Sequence, residues 1–177
     1  MARATGTWLS GPQFPGADDN EYRGQDLGLP ASGPGALAGG WHRVLGLLLD
    51  WLIAGGIAIA IVGVQPAHEM ASSLEMTVRE AGTPQLIIWW VIGVLAVSLF
   101  GFTPGQFIVG TRVARVDLGS ERAEAEASGQ ERPAAVGVVR ALGRQVILLF
   151  VVPALINDYN GRAMHDRATG TAIIQTR

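Results

Sequence analysis

The sequence contains no cysteine and no lysine, and each absence removes a class of chemistry. Without cysteine the chain cannot form disulfides, thiolate metal sites or a thiol nucleophile. All 13 cationic side chains are arginine, so no residue can form a Schiff base or serve as the lysine of a phosphate-binding loop. The formal net charge of −2 offers no basic field for nucleic acid, so we expect no nucleic-acid partner.

Charge is also scarce: charged residues make up 16% of the 177 residues, hydrophobic residues make up 49%, and the mean hydropathy is +0.30. This composition is typical of a small single-domain protein with a few membrane helices and polar ends. The first apolar run begins only after residue 40, behind a polar segment. Its position argues against a secretory signal, which needs an apolar core close to the N-terminus.

Residues 1–40 are rich in glycine and proline, carry more acidic than basic side chains and show no hydrophobic periodicity. These features predict a mostly disordered leader. Its apolar residues have two interpretations, a docking motif or stray side chains in a tail, and the second is favoured. They are Trp8, Leu9, Leu27 and Leu29.

The run from Val44 to Val64 predicts a first membrane helix over about 41–64, with Trp41 at the membrane edge. Its 21 residues would rise about 31 Å, which matches a hydrocarbon core of about 30 Å. Asp50 is the only charged residue in the run.

A second apolar run predicts a membrane helix over 86–102, bracketed by Pro84 and Pro104. Before it, Met70, Leu74 and Val78 recur every four residues. This spacing predicts a short amphipathic surface helix within 65–85.

A third apolar segment, over about 136–156, is either a further crossing or a re-entrant hairpin, and the hairpin is favoured. The strand-like pieces 111–117 and 170–176 each need a partner strand to be stable, so we expect them to pair on one side of the membrane. The predicted fold is therefore an all-α membrane protein of residues 41–177. It has two transmembrane helices, the third segment, a cytoplasmic loop over 103–135, a C-terminal tail over 157–177 and a short cytoplasmic strand pair.

Arginine counts predict the orientation, because cytoplasmic loops carry an excess of basic residues. Residues 65–85 contain one arginine, whereas residues 103–144 contain six. This distribution places 103–144 and the N-terminus in the cytoplasm and predicts a multi-pass protein of the inner (plasma) membrane.

A carboxylate at the depth of Asp50 costs about 2.5–3.5 kcal/mol on insertion scales, so it needs a partner or a purpose. Arg43 lies on the same helix face, two turns or about 10 Å away, which is too far for a direct pair. Arg140 and Arg144 could reach it from the third segment, which predicts an Asp50–Arg144 or Asp50–Arg140 pair. Asp50 is then either a proton or cation site or a structural lock between helices, and the two remain equally open.

The sequence has no nucleophile–base spacing, phosphate loop or zinc-protease helix, and its three histidines are scattered. We therefore expect neither an enzyme nor a bound metal or cofactor.

Four pieces of the chain match one family: WHRVLGLLLDWLIAG, TPGQFIVGTRVARVD, VVRALGRQVI and GRAMHDRATGTAII. With these pieces the chain resembles the RDD family of small bacterial membrane proteins, named for one arginine and two aspartates. Arg43 and Asp50 match the family's arginine and first aspartate, and Asp166 matches the second. The sequence departs from the pattern at Gln106, where the family usually has a basic residue. The resemblance implies an inner-membrane protein for which transport of ions or small solutes is suggested, and it supplies no catalytic residues.

The leading functional hypothesis is transport, with Asp50 as the protonatable site in a network with Arg43, Arg140, Arg144 and Asp166. The alternative is a non-transporting adaptor, whose leader or cytoplasmic loop binds a protein and whose charged network is structural. Small residues on the first helix favour close helix contact and hence a homo-oligomer within the lipid bilayer. They are Gly55, Gly56, Ala60 and Gly63.

Overall fold

The computed structural model describes residues 21–63, 70–116, 136–150 and 161–177. In chain order its elements are a short 3-10 helix, Gln25–Leu27, then α1, Gly40–Val62; α2, Met70–Phe100; α3, Pro104–Ile108; β1, Thr111–Arg115; α4, Val138–Leu148; α5, Met164–Ala168; and β2, Thr171–Gln175.

Helices α1 and α2 are long and apolar enough to cross a membrane, with 23 and 31 residues. Only 22% and 28% of their most apolar windows are buried inside the protein. A soluble core helix would bury most of such a surface, so these outward-facing apolar side chains fit a lipid environment. The prediction of two helices that are long and apolar enough to cross a membrane is confirmed.

Helix α2 begins at Met70 and continues through Pro84, so the separate surface helix predicted within 65–85 is wrong. A proline inside a helix removes one hydrogen bond and costs about 3 kcal/mol. Packing offsets this cost, because the buried face runs from Thr77 and Ala81 on one side of the proline to Trp89 on the other.

Helices α1 and α2 approach each other closely through small residues of α1. Gly46, Ala54, Gly55 and Ala58 form its buried face. A Cβ atom on Gly55 would lie 3.0 Å from Nε2 of Gln85, which itself donates to the Trp51 carbonyl at 3.0 Å. Small side chains let two helix backbones come together in this way.

Strands β1 and β2 pair antiparallel, from Thr111 opposite Gln175 to Arg115 opposite Thr171. The predicted strand pair is therefore confirmed. Two strands alone are marginally stable. The segment before α1 supports them, because Gly35 N–H donates to the Gln175 carbonyl at 2.8 Å and Ala38 N–H donates to the Ile173 carbonyl at 2.8 Å.

The predicted disorder of the leader is wrong for residues 21–40, whereas residues 1–20 lie outside the described residues. Leu29 is buried against Ala114, Ala172 and Ile174 of the strand pair, and Leu27 packs beside it. The stray-residue interpretation is thus wrong for these two leucines. They cover the sheet, because the exposed face of a two-stranded sheet has no other layer to pack on.

The third apolar segment is described only in part. Helix α4 ends at Leu148, and residues 151–156 lie outside the described residues, as does the loop 117–135. Crossing and re-entry of 136–156 therefore both stay predictions. The 11 residues of α4 span about 16 Å and pack between α2 and α5.

Candidate functional site

Asp50 on α1 binds the start of α3. Its Oδ2 accepts a hydrogen bond from the Thr103 hydroxyl at 2.5 Å, and its Oδ1 accepts one from the Gly105 N–H at 2.7 Å. Thr103 is the N-cap of α3 and forms a capping box with Gln106. Backbone N–H groups at a helix start have no partner within the helix, so a carboxylate there supplies acceptors that they need.

Gly105 is the residue that lets this contact form. A Cβ atom at position 105 would lie 2.9 Å from the Asp50 Cγ and would overlap the Gly46 carbonyl. Glycine is therefore required at position 105 by the close approach of two backbones, rather than by a turn conformation, whereas a Cβ atom on Gly46 would meet its nearest neighbour at 3.5 Å.

Asp166 lies at the centre of a second cluster, and its side chain is fully buried. Its Oδ1 forms an ion pair with Nη1 of Arg144, and its Oδ2 lies 3.8 Å from Nη1 of Arg43. The hydroxyl of Thr171, at the start of β2, lies 3.4 Å from both the Asp166 Oδ1 and the Asp166 main-chain carbonyl, either of which can accept its hydrogen bond. A single carboxylate thus joins α1, α4, α5 and β2.

His165 precedes Asp166 on α5 and is buried in the same cluster, with its side chain 4% exposed. Burial, and then the charges of Arg144 and Arg43, lower the pKa of His165 to about 2, so the imidazole is neutral at ordinary pH. Within the part of the chain that the structure describes, neither ring nitrogen makes a hydrogen bond.

Of the predicted site residues, the structure brings Arg43, Arg144 and Asp166 together. The expected Asp50–Arg144 pair is wrong, because Arg144 pairs with Asp166 instead. Arg140, the alternative partner, lies half-buried one turn earlier on α4, and the groups that hydrogen-bond to Asp50 are those of residues 103 and 105.

Sequence reasoning missed Thr103 and His165. The segment TPGQ carries a signal that could have found the first, since Thr at the N-cap, Pro at the first helical position and Gln at the third mark a helix start. No local pattern marks His165, whose burial depends on how α4 and α5 pack.

A cavity of about 160 Å³ lies between α1, α2, α3, α4 and α5. Its ionisable lining consists of Arg43, Asp50, Arg144 and His165. Its apolar lining includes Ile53, Trp89, Ile92, Val97 and Leu148. The arrangement can bind a small solute that has both a polar and an apolar part. Among the described residues, no group of three His, Asp or Glu side chains could hold a metal ion.

The sequence was compared with models of known protein families. The model of the RDD family matches residues 37–170, a range that contains Arg43, Asp50 and Asp166. No curated protein and no solved structure matches the chain. Because the match covers more than half of the sequence and includes both charged clusters, the protein belongs to the RDD family.

Proposed function

We propose that the protein binds a small solute in the cavity between its helices and takes part in moving that solute across the membrane. The observation that carries the proposal is the cavity itself, in which four ionisable side chains face a partly apolar space beside two membrane-length helices. Ionisable groups among membrane helices usually mark solute or ion pathways, because their insertion is costly. The proposal assigns no chemical reaction to the site.

Asp50 has two parts in this proposal. Its carboxylate holds α1 to α3 through Thr103 and Gly105, and it also borders the cavity. A solute that contacts Asp50, or a proton that binds it, would therefore act on the start of α3. The residue that the sequence suggested as a protonatable site would thus couple solute or proton binding to the position of α3.

The proposed topology is a multi-pass protein of the inner (plasma) membrane, with its N-terminus in the cytoplasm and a re-entrant third segment. Pairing of β1 with β2 supports it, because two hydrogen-bonded strands lie on the same side of a bilayer. The arginine excess within 103–144 supports a cytoplasmic position for that side.

The absence of cysteine makes a labelling test of this topology direct. Single variants Thr176→Cys and Met70→Cys each introduce one thiol at an exposed position. In right-side-out vesicles, an impermeant maleimide should label position 70 and should leave position 176 unlabelled until the membrane is opened. Labelling of position 176 from outside would reject the re-entrant segment.

We also propose that copies associate in the membrane. Gly55 packs inside the protein against Gln85, so it does not belong to the predicted contact face. Gly56, Ala60 and Gly63 remain exposed and can meet a second copy. Crosslinking in native membranes tests this: an Ala60→Cys variant should form a disulfide-linked dimer, whereas exposed Ile61→Cys on another face should not.

The second candidate is an adaptor that moves nothing, in which the charged residues only hold the fold. Full burial of Asp166 between the two arginines favours it, because such a cluster can fix how four elements pack. Partners would then bind the leader or the cytoplasmic loop.

Flux into proteoliposomes separates the two candidates. Stopped-flow light scattering with small organic acids, amines and amino acids, together with a pH dye for protons, covers the solute classes that the cavity could take. We expect the wild type to accelerate the entry of at least one of them, and Asp50→Asn, measured at a temperature well below its own melting transition, to slow it about tenfold or more. If no solute enters faster than into protein-free liposomes, the result favours the adaptor function over transport.

A further inference from the structure

We infer that the cavity binds a small organic oxyanion: a carboxylate, sulfonate or phosphate group against Arg144 and His165, and an apolar body against the helix α2 wall. The inference rests on the proposed function only in taking the cavity as a ligand site. Oxyanions of this kind reach it either as free solutes or as lipid headgroups, and the test below distinguishes the two sources.

The charges of the buried cluster favour an anion. Two guanidinium groups, of Arg43 and Arg144, lie within 4 Å of one carboxylate, that of Asp166. His165, whose Nε2 lies 3.5 Å from the Asp166 Oδ1, is neutral, so the described side chains of this cluster, counted without Asp50, sum to one positive charge. A buried positive charge in low dielectric attracts a negative group strongly, and guanidinium is the preferred partner of planar oxyanions.

The remaining acid at the cavity, Asp50, belongs to a different set of contacts. Asp50 accepts from the Thr103 hydroxyl and from the Gly105 N–H, so hydrogen bonds at the start of α3 stabilise its charge. Arg144 and His165, which are contributed by α4 and α5, contact Asp166 instead. The cavity therefore has a carboxylate stabilised by α3 and a separate cationic region.

His165 supplies the second, independent observation. Its side chain is 4% exposed and lines the cavity, and neither ring nitrogen makes a hydrogen bond in the described part of the chain, although Nε2 lies 3.5 Å from the Asp166 Oδ1. Buried polar atoms in proteins are bonded with few exceptions. A neutral imidazole has one N–H to donate, and an oxyanion in the cavity would accept it while also accepting from Arg144.

The other wall sets the size and chemistry of the ligand body. Trp89 and Val97 are 7% and 2% exposed and face the cavity together with Ile92 and Leu148. A volume of about 160 Å³ is close to that of an apolar cavity of about 150 Å³ that admits benzene. A single ring or a short chain bearing one oxyanion fits this space.

Benzenesulfonate is a suitable probe, because it keeps its charge at all working pH values and its ring matches the cavity. Calorimetric titration of the full-length protein in phosphatidylcholine nanodiscs should show binding at least about tenfold tighter than that of uncharged benzenesulfonamide. His165→Leu should weaken benzenesulfonate binding about tenfold, and His165→Asn, which keeps a donor, should weaken it less. Arg144→Gln should abolish the preference for the anion.

Matched controls keep the result interpretable. Arg79→Gln removes an exposed guanidinium of α2 outside the cavity and should leave benzenesulfonate binding unchanged. Melting temperatures identify variants that fail to fold. If Arg144→Gln fails to fold, benzenesulfonate binding by His165→Leu tests the inference. Equal binding of sulfonate and sulfonamide, or wild-type binding by a folded His165→Leu, overturns the inference.

Lipid composition separates the two sources of the anion. If phosphatidylglycerol in the nanodisc competes with benzenesulfonate in the wild type but not in His165→Leu, a lipid headgroup is the occupant. If phosphatidylglycerol does not compete with benzenesulfonate, the occupant is a free solute. Binding without any flux would support the anion site and count against transport, whereas flux of cations alone would support transport and overturn the anion site.

Discussion

Replacing Gly105 with alanine tests the contact between α1 and α3 at its tightest point. The added Cβ would lie 2.9 Å from the Asp50 Cγ, so α3 must move away and both hydrogen bonds of the carboxylate must lengthen or break. A hydrogen bond to a charged group contributes about 1.5–3 kcal/mol. Loss of the two predicts a destabilisation of about 3–6 kcal/mol, which in a chain of this size lowers the melting temperature by at least about 6 °C.

The assay is thermal unfolding in mild detergent, followed by intrinsic tryptophan fluorescence. Gly82→Ala is the matched control, because Gly82 lies in α2 with open space around it. That change should stabilise the protein by about 0.4–1 kcal/mol, since alanine is the better helix former.

A double-mutant cycle connects the Gly105 effect to the carboxylate. Asp50→Asn should itself destabilise the protein, and Gly105→Ala should cost less in that background, because the hydrogen bonds are already weakened and only the overlap with the α1 backbone remains. If Gly105→Ala melts like the wild type, or if its cost is unchanged in Asp50→Asn, the described contact does not hold α3.

Three further changes test other parts of the structure. Leu29→Ala should destabilise the protein by about 2–5 kcal/mol, because Leu29 is buried against the sheet, and thermal unfolding measures this; an unchanged melting temperature would show that the leader does not pack there. Arg144→Gln should cost about 3–5 kcal/mol, since it leaves the buried Asp166 carboxylate with only the longer contact to Arg43, and Arg144→Gln with Asp166→Asn should recover part of that loss. His165 should lower stability in acid: its pKa is about 2 when folded but about 6.5 when unfolded, so below pH 6.5 protons bind the unfolded state. Between pH 7.5 and pH 5.5, the free energy of unfolding of the wild type should fall by about 1.4 kcal/mol more than that of His165→Gln. Parallel curves of stability against pH for the two proteins would contradict the assignment.

Features that depend on local periodicity could be predicted from the sequence. Apolar length predicted α1, and strand-like alternation with no other partner predicted the pairing of β1 with β2. Membership of the RDD family, whose model matches residues 37–170, was also predicted, since the spacing of four motifs specifies it.

Features that depend on tertiary packing could not be predicted from the sequence. Pro84 appeared to end a helix, but the buried face that crosses it is visible only once α1 is in place. Leu29 appeared to belong to a tail, because the sheet that it covers is built from residues more than 80 positions later. The partners of Asp50 were misassigned, since charge complementarity pointed to arginines and the structure uses a hydroxyl and a backbone N–H instead.

The central claim is that the cavity beside Arg144 and His165 is the solute site of a transport protein. Uptake of radiolabelled benzenesulfonate into proteoliposomes tests it most directly, because this permanently charged solute crosses lipid poorly without help. We predict uptake well above that of protein-free liposomes, reduced about tenfold by a folded His165→Leu variant and unchanged by Arg79→Gln. Uptake by the wild type that equals the protein-free rate would contradict it.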